Sequence, residues 1–307
     1  MGLGLSFHIF VLYGFSRENP RPYHRGHPSA GSLRRAQGRQ GRRGKPARET
    51  FDRETIVWIG TYAEVWMSDD AMSESGKHGQ FLPRPDNDRF AAQLRGFGPI
   101  GILAILLILV GNGIFMPYLP AGALLVSAWA WRSGTPWSEI GYARPASWMG
   151  SVAGGIAFGC AFKIAMKALV MPLLGADPIN HAYHFLAGNR AAVPLYIYAF
   201  TIGAGFGEET VFRGYLFERL GKLLGGSAVA RTAIVFITSL LFAALHYSDQ
   251  GLAGAEQALI TGLTFGTIFM LTGRIWMVMT AHAAFDLTAY AIIYWGLETR
   301  AAHLIFK

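Results

Sequence analysis

From Phe97 onward the chain alternates long apolar runs with short polar breaks. A bilayer core takes roughly 20 apolar residues of helix. On that measure, spans fall near 97–115, 117–132, 149–172, 194–218, 230–247, 254–272 and 275–297. Run length rather than period carries these assignments, because a helix apolar all round loses its amphipathic signal. The second segment is short and holds Pro117 and Pro120, which leaves its start open. No repeat of fixed period is visible. The pattern predicts an all-α fold, a multi-pass transmembrane helical bundle of about seven spans within a range of six to eight, occupying residues 96–307.

Residues 1–95 break this pattern. The opening "MGLGLSFHIFVLYGF" is too short to span, and no positive charge precedes it, so it suits neither a span nor a signal peptide. "SRENPRPYHRGHPSAGSLRRAQGRQGRRGKPARET" follows, rich in Arg, Gly and Pro. Such a segment buries too little apolar surface to offset chain entropy and is predicted to be disordered. Two readings stay open. Either it is a basic arm for nucleic acid or anionic lipid, or translation starts at Met67 or Met72 and the earlier residues precede the true start.

Composition agrees with the membrane class: 52% of residues are hydrophobic and 15% charged. Net charge is +8, but much of it sits in the N-terminal run, so the body of the chain does not read as a nucleic-acid binder. Cys160 is the one cysteine, which excludes an intrachain disulfide framework and a cysteine-based zinc site. Loop charge sets an orientation. Arg84, Arg89 and Arg95 precede the first span; Arg132 and Arg144 follow the second; Arg219, Lys222 and Arg231 surround the turn after the fourth; Arg274 follows the sixth. The alternate loops hold almost only Arg190, with Arg300 and Lys307 in the tail. The positive-inside rule then places the N-terminus in the cytoplasm of a cell (inner) membrane.

Against this apolar background a few ionisable groups stand out. Each Asp, Lys or Arg at a span centre costs ~2.5–3.5 kcal/mol on insertion scales, so such groups persist where they pair, face a cavity or do chemistry. "GFGEETVFRG" (205–214) holds Glu208, Glu209 and Arg213. Glu209 and Arg213 are four apart and share a helix face. Glu208 is rotated by about 100° from Glu209 and is the candidate general base. His246 lies one turn after Phe242. With Ser227 as pivot of a hairpin, Glu208 and His246 each lie 19 residues away and reach similar depth. "MTAHAAFDLTAY" places His282 and Asp286 on one face, where Asp286 is expected to accept from a ring nitrogen and orient His282.

The motifs "EETVFR" (208–213), "FAALH" (242–246) and "HAAFD" (282–286) resemble Glu-Glu-x-x-x-Arg, Phe-x-x-x-His and His-x-x-x-Asn/Asp. In order and spacing they are similar to the CPBP intramembrane proteases, which include type II CAAX prenyl endopeptidases and bacteriocin-processing or immunity-associated membrane proteins. "SEIGYARP" (138–145) resembles the segment before that family's core, so the likeness covers about 135–297. The resemblance implies a glutamate protease with no required metal or cofactor. Glu208 would activate water, His246 would position it, and His282 with Asp286 would form the oxyanion side. Glu209, Arg213 and Phe242 would support the site. Where the family has Asn, a side-chain amide donates directly; Asp286 is an acceptor when ionised, so it either carries a proton or only orients His282.

The expected partner is a prenylated or otherwise membrane-associated peptide within the lipid bilayer, with no nucleic acid. Three alternatives remain. Glu208, His246 and His282 are a possible zinc set, although the chain lacks His-Glu-x-x-His. Intramembrane carboxylates and histidines also build proton-coupled transporters. An immunity-type binding protein on the same scaffold is the third.

Overall fold

A computed structural model describes residues 88–115 and 119–306. Most of the N-terminal segment, including both alternative start positions, lies outside the described residues, as does Pro117. Among the described residues the fold is all-helical, with no strand. The helices are α1 (Arg89–Arg95), α2 (Pro99–Phe115), α3 (Ala121–Ser133), α4 (Trp148–Leu173), α5 (193–224), α6 (Ala228–Thr272), α7 (Trp276–Tyr294) and α8 (Glu298–Ala302).

Regular structure begins ahead of the boundary drawn at residue 95. Asp88 caps α1 by accepting from the backbone N–H groups of Phe90 and Ala91. Arg132 of α3 donates to the other Asp88 oxygen at 2.7 Å, and the Trp129 indole donates to the Leu94 carbonyl at 3.0 Å. The second predicted span is shortened to Ala121–Ser133, with Pro120 at its N-cap, because proline biases the residue before it away from helix.

The count of about seven spans is not confirmed among the described residues. By length and composition, three helices are able to cross a membrane: α4, α6 and α7. A fourth is added if α1 and α2, bent by 58°, form one span. The 13-residue α3 is too short, and α5 is interrupted by two π-helical stretches and carries the charged cluster. The 45 residues of α6 would run ~68 Å if straight, about twice a bilayer core. Gly251, at φ 65° and ψ −162°, breaks it instead. Beyond the break the chain doubles back: a β-carbon on Gly262 would meet Ser239, and one on Gly266 would meet Val235. These two pairs are centred on the same point beside Gly251, so the arms 228–250 and 252–272 lie antiparallel. The apolar run of the sequence and its polar gap near residue 250 correspond to these two arms.

Outward faces are aliphatic, with Leu103, Leu106, Leu107 and Val110 exposed on α2 and Phe236, Leu240 and Leu241 on α6. Large apolar surface turned outward suits lipid better than water. Inside, Val126, Trp129, Ile140, Phe212, Tyr215 and Phe242 form one core cluster, and Phe265, Phe269, Ile275, Val278 and Phe285 belong to another. The segment around Gly141 is drawn into the bundle. Its carbonyl accepts from the Ile275 N–H at 2.9 Å, and the Trp276 indole donates to the Ala143 carbonyl at 2.9 Å, which fixes the start of α7.

Small residues let α4 and α7 pack closely. A β-carbon on Gly155 would meet Thr280 and the Met277 carbonyl, and one on Gly159, a turn later, would collide with the Ala281 carbonyl oxygen. On the same helix Gly154 faces open space. Gly159→Ala is therefore expected to lower stability in detergent by about 1–3 kcal/mol, while Gly154→Ala leaves it unchanged or slightly raised. Comparing the two unfolding midpoints checks this; equal midpoints would contradict the close approach.

Candidate active site

Alternating glycines open the way for the charged cluster. In "TIGAGFGEE" Gly203, Gly205 and Gly207 are all buried. A β-carbon on Gly205 would lie 2.9 Å from both Ala283 Cβ and the Met279 carbonyl, so glycine there lets α5 lie against α7. The backbone is π-helical over Ala199–Glu208 and Thr210–Tyr215. Such i→i+5 turns are rare and appear mostly at functional sites. They widen the helix where Glu208 and Glu209 leave it.

Glu209 is fully buried, and two donors converge on its Oε1. Arg213 Nη1 donates at 2.7 Å and His282 Nδ1 at 2.6 Å. The other oxygen, Oε2, is buried with no hydrogen-bond partner among the described residues. Arg213 also reaches the Gly262 carbonyl on the returning arm of α6 at 3.5 Å. Its guanidinium lies 4.9 Å from the centre of the Phe242 ring, a cation–π contact. One ion pair thus ties α5 to both arms of α6 and to α7.

The partner of the His282 Nδ1 differs from the expectation. It is Glu209, not Asp286, that orients the ring. Asp286 Oδ2 lies 3.6 Å from Nε2, beyond hydrogen-bond length, and Glu208 Oε2 lies 3.8 Å from the same nitrogen. Two carboxylates therefore flank the free side of one imidazole. The side chains of Glu208 and Asp286 are 12% and 22% exposed, while that of Glu209 is sealed, so the first two face whatever enters.

His246 stands on the other wall. Its Nδ1 lies 2.8 Å from the Phe242 carbonyl, one turn earlier. A carbonyl only accepts, so Nδ1 carries a proton and donates it there, which leaves Nε2 free of that contact. The hairpin register about Ser227 is visible in the aromatic residues of the two helices. Ser227 caps α6 by accepting from the Ala230 N–H, and Phe212 and Phe242, each 15 residues from it, meet edge-on at 5.0 Å. Phe242 also packs against both His246 and His282, at 4.4 and 6.0 Å between ring centres.

Behind the acids, the Thr210 hydroxyl donates to the Phe206 carbonyl and so accepts from Tyr142 at 2.7 Å. Burial pushes the Tyr142 hydroxyl up to about 12, which keeps it a donor. Two further residues at the site escaped the sequence reading: Phe265, whose ring lies 5.4 Å from His282, and Lys163 on α4, buried over the Phe285 ring. Lys163 carried the same signal as the others, a charge inside an apolar span. Phe265 carried none, being one aromatic in an aromatic-rich run.

Among the described residues, no three His, Cys, Asp or Glu side chains form a cluster able to hold a metal ion. Of the possible zinc set of Glu208, His246 and His282, His282 binds Glu209 through Nδ1.

Carboxylates and imidazoles on three helices, enclosed by aromatic rings, form one buried polar cluster within an apolar bundle. Residues 190–288 match the family model described as type II CAAX prenyl endopeptidase Rce1-like. The match agrees with the resemblance of the three motifs; the matched stretch contains all of Glu208, Glu209, Arg213, Phe242, His246, His282 and Asp286, and the family indicates a protease integral to the membrane. No curated protein and no solved structure matches the chain.

Removing one partner of a buried ion pair leaves the other charge uncompensated, at about 3–5 kcal/mol. Arg213→Leu is expected to destabilise the detergent-solubilised protein by that order, and Arg213→Leu with Glu209→Leu by less than Arg213→Leu alone. Unfolding midpoints of the two variants check the pairing.

Proposed function

We propose that the protein is an intramembrane endopeptidase in which Glu208 activates a water molecule to hydrolyse a peptide bond near the C-terminus of a lipidated or membrane-associated polypeptide. The observation that carries this is the pairing of Glu208 with His282 across α5 and α7, at 3.8 Å, inside a domain that matches a CAAX endopeptidase family. The water lies between the Glu208 carboxylate and Nε2 of His246. Glu208 takes its proton as the oxygen attacks the scissile carbonyl carbon. His282 donates from both ring nitrogens, Nδ1 to Glu209 and Nε2 to the oxyanion. Glu208 then returns the proton to the leaving amide nitrogen as the C–N bond breaks.

Asp286 acts on the same ring edge as Glu208, biasing His282 toward donation rather than donating to the oxyanion itself. Glu209, Arg213 and Phe242 hold His282 and His246 in place. Base, oxyanion donor and orienting groups all come from side chains, so the reaction is proposed to need no metal. The protein is placed in the cell (inner) membrane with its N-terminal side cytoplasmic, following the arginine distribution.

Purified protein in detergent, offered a C-terminal peptide with and without a prenyl group on its cysteine, tests the proposal. Cleavage is expected, with Glu208→Gln losing about 10²–10⁴-fold in kcat and chelators leaving the rate unchanged. Equal cleavage by Glu208→Gln rules out the proposed base. Loss of activity on chelation, restored by zinc, rules out the metal-free route.

A further inference from the structure

Lys163 sits on α4 within an apolar span and is 6% exposed. Its Nζ donates to the neutral Gln257 side chain on the returning arm of α6 at 2.8 Å and lies 4.7 Å from the centre of the Phe285 ring on α7. No carboxylate lies within ion-pair distance of it among the described residues. A buried ammonium without a counter-charge is costly. Asp286 directly follows Phe285, and the close packing of Gly159 on Ala281 and of Cys160 on Thr288 brings this stretch of α4 alongside α7.

The charges of the site leave one place open. Arg213 compensates Glu209. Glu208 and Asp286 both face Nε2 of His282, and a single ring carries at most one positive charge. His246 also acts on Asp286, but its Nδ1 proton is committed to its own helix. Lys163 is the cation left to balance the second carboxylate.

We infer that Lys163 is a positioning residue for the protease site, acting through space as the counter-charge to Asp286 beside His282. This deepens the proposed hydrolytic function and rests on it. With Lys163 in place, Asp286 works as an anion that favours His282 as a two-proton donor. This accounts for an acid at the position where the resembling family has Asn or Asp: the amide needs no counter-ion, and the acid here has one.

A double-variant cycle tests the couple, using Lys163→Met, Asp286→Asn, both together, and Lys163→Arg, each read for kcat, KM and unfolding midpoint in detergent. Lys163→Met is expected to lower kcat about tenfold with KM within about twofold, the size of a coupled pair. In the Lys163→Met background, Asp286→Asn is expected to cost little further activity and to raise the midpoint. Lys163→Arg keeps the charge and is expected to retain most of the wild-type kcat. Losses that simply multiply in the double variant overturn the inference, as does Lys163→Arg behaving like Lys163→Met. If the wild type cleaves no peptide, the hydrolytic proposal fails by itself. The midpoints then decide the charge couple by the same rule: non-additive shifts support it and additive shifts refute it.

Discussion

Everything polar in this bundle is organised around one carboxylate oxygen. Oε1 of Glu209 accepts from Arg213 and from His282 at once, and both donors come from groups that could not otherwise stand in an apolar interior. The pair sets the rotation of the His282 ring, and the ring sets which edge faces Glu208 and Asp286. The same arginine reaches the second arm of α6, so three helices share one electrostatic knot. In hydrocarbon, where water offers no substitute partner, such a knot selects one packing over others more sharply than aliphatic contacts do.

Around the knot, close approach is obtained by omission. Gly155 and Gly159 let α4 onto α7, and Gly205 lets α5 onto α7 from the other side. The large residues serve as walls: Phe242, Phe265 and Phe285 line the gaps between the charged groups, and all three lend ring faces to cations. Chemistry and packing thus use different residue types along the same helices.

Much of this was legible in the sequence. Charges within greasy runs marked Glu208, Glu209, Arg213, His246, His282 and Asp286, because the cost of burying a charge makes its presence informative. Counting from Ser227 anticipated which parts of α5 and α6 face each other, as Phe212 and Phe242 now show. Three features were hidden. The π-helical turns of α5 leave no compositional trace. The identity of the acid on Nδ1 of His282 depends on side-chain rotation between two helices, which spacing within one helix does not encode. The span number of about seven is not confirmed: apolar run length does not report where π-helical turns interrupt α5, or how short α3 is.

Gly251 lies on the surface, and a methyl group added to it would touch nothing within 4 Å. Its backbone nonetheless adopts a conformation open almost solely to glycine. The reversal it permits places His246 on one arm and Gln257, Gly262 and Phe265 on the other. Freedom from contacts at this position is therefore no guide to mutational tolerance: the side chain missing there is what allows His246 and the residues of the returning arm to belong to one continuous piece of chain.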